Sequence, residues 1–110
     1  MNIEEYQMKA ERTVDETLSA KENLCNLVLG LNGEAGEVTD LIKKFVFHGH
    51  SLGIQKLTEE LGDVMWYLTN IATFFNIPMT YILDENIKKL EERYPEGFSV
   101  EKSINRKEYK

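Results

Sequence analysis

The sequence predicts an all-α, four-helix-bundle-like domain that assembles into a homo-oligomer. Apolar residues recur at helical spacing through four segments, three punctuations separate them, and there is no repeat or low-complexity linker. A chain of 110 residues with 42% hydrophobic content buries one core but hardly two, so residues 1–110 are expected to form a single domain with a tail from 98 to 110. The first segment, about residues 2–20, places Ile3, Tyr6, Ala10, Val14 and Leu18 on one face, with mixed charge opposite. The second, about 23–47, carries Leu24, Leu27, Val28, Leu31, Ala35, Val38, Leu41, Ile42 and Phe45. His48-Gly49-His50-Ser51-Leu52-Gly53 reads as a loop. A third helix follows from about Ile54 to Phe75, with Leu57, Leu61, Val64, Leu68, Ile71 and Phe75 as its stripe. Asn76-Ile77-Pro78 breaks that pattern, and because proline suits a helix start, a fourth helix is expected to about Arg93. Pro95 and Gly97 end it. The polar tail from Phe98 to Lys110 is expected to be poorly ordered unless a neighbouring subunit orders it.

The chemistry-bearing feature is a set of four acids, Glu34, Glu37, Glu60 and Asp63, arranged as two Glu-x-x-acid pairs on the second and third helices. Positions three apart on a helix lie about 60° apart around the axis and about 4.5 Å apart along it, so each pair faces one spot. Glu34 falls within the apolar arc of its helix and Glu37 at its edge, so Glu34 is not a simple solvated charge and is expected to be the most buried of the four. Glu60 lies at the edge of the third stripe, and Asp63 further round the same flank with Lys56. Four like charges at a bundle wall resist ionisation unless a cation neutralises them, and all-oxygen ligation points to Mg2+, with Mn2+ as a substitute, rather than zinc.

Other features narrow the function classes. The formal net charge of −6 argues against a nucleic acid polymer as partner, whereas a free nucleotide is compatible when magnesium bridges it to the acids. Cys25 is the sole cysteine, so no intrachain disulfide forms; it is expected to pack rather than react, in a reducing cytoplasm. No apolar run approaches the roughly 20 residues that span a bilayer, and the acidic amino terminus lacks signal-peptide character, so no membrane partner is expected. His48 and His50 read as plain surface rather than ligands. No Glu-x-x-His and no P-loop occurs, which removes the di-iron bundle and P-loop classes. Gly30, Gly33 and Gly36 each cost a helix about 1 kcal/mol relative to Ala, so they imply a close approach by another backbone or a phosphate, or else a helix break near Gly33. Met65, Trp66 and Tyr67 read as core or subunit contacts.

Gly30-Leu31-Asn32-Gly33-Glu34-Ala35-Gly36-Glu37-Val38 and Glu59-Glu60-Leu61-Gly62-Asp63, with Lys43-Lys44 between them and Asn86-Ile87-Lys88-Lys89-Leu90 and Arg93-Tyr94-Pro95 downstream, resemble the all-α nucleotide pyrophosphohydrolases of the MazG type from about Leu29 to Phe98. The resemblance implies hydrolysis of a nucleoside triphosphate to monophosphate and pyrophosphate, with water attacking the α-phosphorus. It implies that Glu34, Glu37, Glu60 and Asp63 hold magnesium and carry catalysis, that Lys56 and Glu59 lie close by, and that Asn86, Lys89 and Arg93 contact the nucleotide. Lys89 and Arg93 are four apart on one face, as phosphate oxygens require. Glu34 is the chosen proton acceptor. Some relatives carry a further acid just before this position, where Gly33 stands here, so a mechanism using that acid is not available to this chain. The family also implies a homodimer or homotetramer with the nucleotide near the subunit interface. Two alternatives are a non-enzymatic acidic module that recruits a basic protein, and an enzyme like phosphoribosyl-ATP pyrophosphohydrolase.

Overall fold

The computed structural model describes residues 1–106 and is all-α, with five helices among them: α1 (Ile3–Glu11), α2 (Ala20–Phe47), α3 (Ile54–Phe74), α4 (Met79–Arg93) and α5 (Val100–Ile104). The long α2 and α3 form the central pair, joined by the loop 48–53, and so short a loop returns the chain antiparallel. The shorter α1 packs on α3, and α4 makes its main packing contacts with α1.

The first helix ends well before the expected position near residue 20. Beyond Arg12, Asp15 takes the backbone N–H of Thr17 at 2.9 Å and its hydroxyl at 2.6 Å, a local turn that competes with helical bonding. The second helix then starts earlier than expected, at a capping box: Ser19 accepts from the Glu22 N–H at 3.2 Å, and Glu22 accepts from the Ser19 N–H at 3.1 Å. It runs through Gly33 without a break. After α3, Asn76 adopts a left-handed φ of 57°, turning the chain so that Pro78 caps α4.

Side chains tie α1 across this turn. Gln7 donates to the Thr73 hydroxyl at 3.1 Å and to the Ile77 carbonyl at 3.0 Å, and accepts from the Met79 N–H at 2.8 Å. Further along, Asn70 donates to the Ala10 carbonyl at 3.3 Å, and the Trp66 indole donates to the Thr13 hydroxyl at 2.8 Å. Buried apolar residues include Ala10, Leu27, Ala72 and Met79.

One chain does not cover all of the apolar stripes read from its sequence. With α4 laid on α1, apolar positions of α2 and α3 such as Phe45, Leu61 and Leu68 stay exposed, although periodicity had assigned them to a core. The radius of gyration is 17.4 Å, against about 13 Å for a compact chain of this length. Cys25, expected to pack, is exposed. The tail contains α5, whose Ser99 cap accepts from the Lys102 N–H at 3.0 Å, and residues 107–110 lie outside the described residues. Among the described residues, no helix is long and apolar enough to cross a membrane.

Candidate metal centre

The seam between α2 and α3 brings three of the four acids together. Glu34 from α2 and Glu60 and Asp63 from α3 each offer a carboxylate oxygen, and these oxygens lie within 4.8 Å of one another. Glu60 is the most enclosed, at 6% exposure, whereas Glu34 is half-buried and Asp63 exposed. This reverses the expectation that Glu34 is deepest. Helical phase places a residue relative to its own apolar stripe, whereas Glu60 is covered by groups from both sides: the Glu34 carboxyl from α2, and the Lys56 ammonium at 2.9 Å one turn earlier on α3.

The acids divide their protons unequally. Glu34 is pushed up to about 7, first by its hydrogen bond with Glu60, then by desolvation and by the negative charges of Glu60, Asp63 and Glu37. Glu60 moves down, because it accepts from Glu34 and from Lys56. The Lys56 ammonium is correspondingly held above its usual range, chiefly by Glu60. Crowding thus favours a proton on one carboxyl while its neighbour stays ionised, as like charges held together do. A divalent ion would replace that proton. The set fits such an ion: magnesium–oxygen distances near 2.1 Å separate ligand oxygens by at most about 4.2 Å, a small contraction of the observed spread, and carboxylates are hard donors.

The remaining candidates are placed less uniformly. Glu37 is exposed and stands outside the close trio, although its charge still acts on Glu34 and Lys56. Glu59 is exposed beside Glu60 and acts on Lys56 through its charge. Asn86 and Lys89 are exposed on α4 and Arg93 is half-buried at its end, and this helix packs mainly on α1 rather than along the α2–α3 seam. Lys43 and Lys44 face Asp40 at 3.6 and 2.8 Å, so their charges are engaged by an acid of their own helix. His48 and His50 are exposed and stand apart from the trio.

Sequence reasoning missed how Tyr67 is used. Its ring lies directly on Gly30, which accounts for that glycine by a side chain rather than by the backbone or phosphate anticipated, while a Cβ at Gly33 or Gly36 would meet nothing within 4 Å. The available signal was positional, since Gly30 precedes Glu34 by four residues and Tyr67 follows Asp63 by four.

Residues 22–98 match the MazG nucleotide pyrophosphohydrolase domain. The chain is also 30% identical over 105 residues to the Gene 37 protein of Mycobacterium phage L5, an alignment covering 88% of this chain and 92% of that protein. No solved structure matches it significantly. With more than half of its length inside the matched domain and an acidic centre on two helices, the chain belongs to the MazG nucleotide pyrophosphohydrolase family.

Proposed function

We propose that the protein hydrolyses nucleoside triphosphates to the monophosphate and pyrophosphate in a magnesium-dependent reaction. The observation that carries this reading is the convergence of Glu34, Glu60 and Asp63 from two helices, with carboxylate oxygens within 4.8 Å of one another. These three would hold the ion, with Glu37 completing the set from the next turn of α2. The ion supplies charge neutralisation for the phosphate chain and acidifies bound water. In the reaction a water oxygen bonds to the α-phosphorus, the bond from that phosphorus to the bridging oxygen breaks, and pyrophosphate leaves with the bond's electron pair. The water proton goes to a carboxylate. Glu34 is the carboxylate we assign to that role: its pKa is pushed up to about 7, chiefly by its contact with Glu60, so that once ionised it is a stronger base than an ordinary carboxylate. Lys56 keeps Glu60 ionised from one turn away, and Glu59 adds negative charge behind Lys56.

Asn86, Lys89 and Arg93 would bind the nucleotide phosphates and sugar. Since α4 packs mainly on α1, we assign these residues to the site of a neighbouring copy, in a homodimer or homotetramer of single-domain chains. With a nucleotide substrate, we assign its action to the cytoplasm.

The test is pyrophosphate release from ribo- and deoxynucleoside triphosphates, with and without magnesium, by the native protein and by Glu37→Ala and Asp63→Ala. Magnesium-dependent release of monophosphate and pyrophosphate, reduced at least a hundredfold in both variants, is expected from the loss of a metal carboxylate. No turnover of any nucleotide would defeat the reading.

A further inference from the structure

We propose that Gly30 and Tyr67 form a spacer that sets how closely α2 and α3 approach at the carboxylates, which makes Tyr67 a positioning residue for the metal. The proposal rests on reading the acidic trio as a metal centre. It starts from register. Gly30 lies one turn before Glu34 on α2, and Tyr67 one turn beyond Asp63 on α3, so on antiparallel helices the two meet in the layer next to the acids.

The contact is unusually close. A Cβ built at Gly30 would stand 2.6 Å from Cδ1 of Tyr67 and nearer still to Cε1 and Cζ, whereas carbons in contact prefer about 3.5–4.0 Å. The ring therefore rests on bare α2 backbone, and no other residue type fits at position 30 without the seam opening or the ring leaving. Leaving is opposed by Trp66. Its ring meets that of Tyr67 edge to face at 4.9 Å and 88°, and its indole N–H is fixed to Thr13 at 2.8 Å. The spacer is thus braced against the segment that follows α1.

The other glycines near the acids behave differently. A Cβ at Gly33, Gly36 or Gly62 would meet nothing within 4 Å, so among these positions only Gly30 has its missing side chain filled by a neighbour across the seam. Packed interiors transmit displacement rather than absorb it. A wedge at Gly30 moves the next turn of α2, and Glu34 with it, away from Glu60 and Asp63, whose oxygens must close from within 4.8 Å onto one ion.

The experiment is titration of the full chain with Mn2+ alone, followed by calorimetry and by the emission of Trp66, the sole tryptophan, with far-ultraviolet circular dichroism to verify folding. Gly30→Ala is expected to weaken Mn2+ binding on the order of tenfold, as loss of a group that orients metal ligands does. Tyr67→Leu, which removes the ring without adding bulk at position 30, should weaken it similarly and supplies the answer if Gly30→Ala does not fold. Tyr67→Phe keeps the contact and should bind as the native protein does. Combining Gly30→Ala with Tyr67→Leu exchanges one bulk for another and should recover most of the affinity, a rescue that general destabilisation would not produce. Gly33→Ala should leave Mn2+ binding unchanged. Native-like affinity in Tyr67→Leu, or in a folded Gly30→Ala, would overturn the proposal while leaving the metal centre standing; absence of Mn2+ binding by the native protein would overturn both.

Discussion

Glu34 and Glu60 face one another across the seam and shift in opposite directions, which makes the resting protein sensitive to pH in a defined way. The Glu34 carboxyl rises to about 7 from an ordinary 4.5, so between those values the folded chain keeps a proton that the unfolded chain has released. The native state then binds more protons than the unfolded one, and the contribution of Glu34 to stability falls as pH rises through that window and levels off above it. Glu60, with its lowered pKa, contributes in the opposite sense: its stabilisation is present above its ordinary range and is lost as pH falls through its folded-state value. Magnesium, bound as proposed, would take the ionised form of both groups. Thermal melts of metal-free protein from about pH 5 to about pH 8 should therefore show a decline that Glu34→Gln removes and that added magnesium offsets most strongly at the upper end. A decline of equal size in Glu34→Gln would show that the proton resides elsewhere.

At the scale of single helices, α2 carries both a strong start and an expendable weakness. The Ser19–Glu22 capping box satisfies two backbone donors, so Ser19→Ala should lower stability by about 1 kcal/mol in denaturant titration. Gly33 is exposed in mid-helix with open space where a Cβ would go, so Gly33→Ala should raise stability by up to about 1 kcal/mol. A loss on Gly33→Ala would show that something approaches this turn closely. These elements also show what periodicity reads well and what it does not. The apolar spacing of α2 and α3 and the break at Asn76-Ile77-Pro78 placed the hairpin and its acids within a few residues, because both follow from local geometry. Helix α1 was overextended because Val14 and Leu18 continue its spacing past Asp15, whose side-chain bonds to Thr17 outcompete helix without disturbing the pattern. The start of α2 was legible in Ser19-x-x-Glu22 but was placed later, since apolar spacing begins only at Leu24. The relative depth of Glu34 and Glu60 was not legible, because it depends on which groups meet across the seam.

For the molecule as a whole, large apolar side chains are left uncovered on α2, α3 and α4. Leu29 is 72% exposed and Phe47 78% exposed on α2, and Ile54 and Leu61 on α3 and Leu83, Ile87 and Leu90 on α4 are also open to solvent. Apolar surface of this extent marks a contact face, and its spread over three helices favours assembly of like chains over the docking of one short segment. The same assembly would bring the α4 of one copy to the acidic seam of another, so quaternary structure and catalysis are expected to fail together. Light scattering of the native protein at micromolar concentration should give a mass twice or four times 12.8 kDa. The double substitution of Leu29→Glu and Phe47→Glu separates the cases. In a monomer both side chains already face water, and each change should alter stability by less than about 0.5 kcal/mol with turnover intact. In an oligomer built on this face, the introduced charges must be desolvated against a neighbour, so the particle should fall to a smaller species and pyrophosphate release should fall with it. A native protein that scatters as a 12.8 kDa monomer would remove the shared-site arrangement, and Asn86, Lys89 and Arg93 would then have to reach the acids of their own chain.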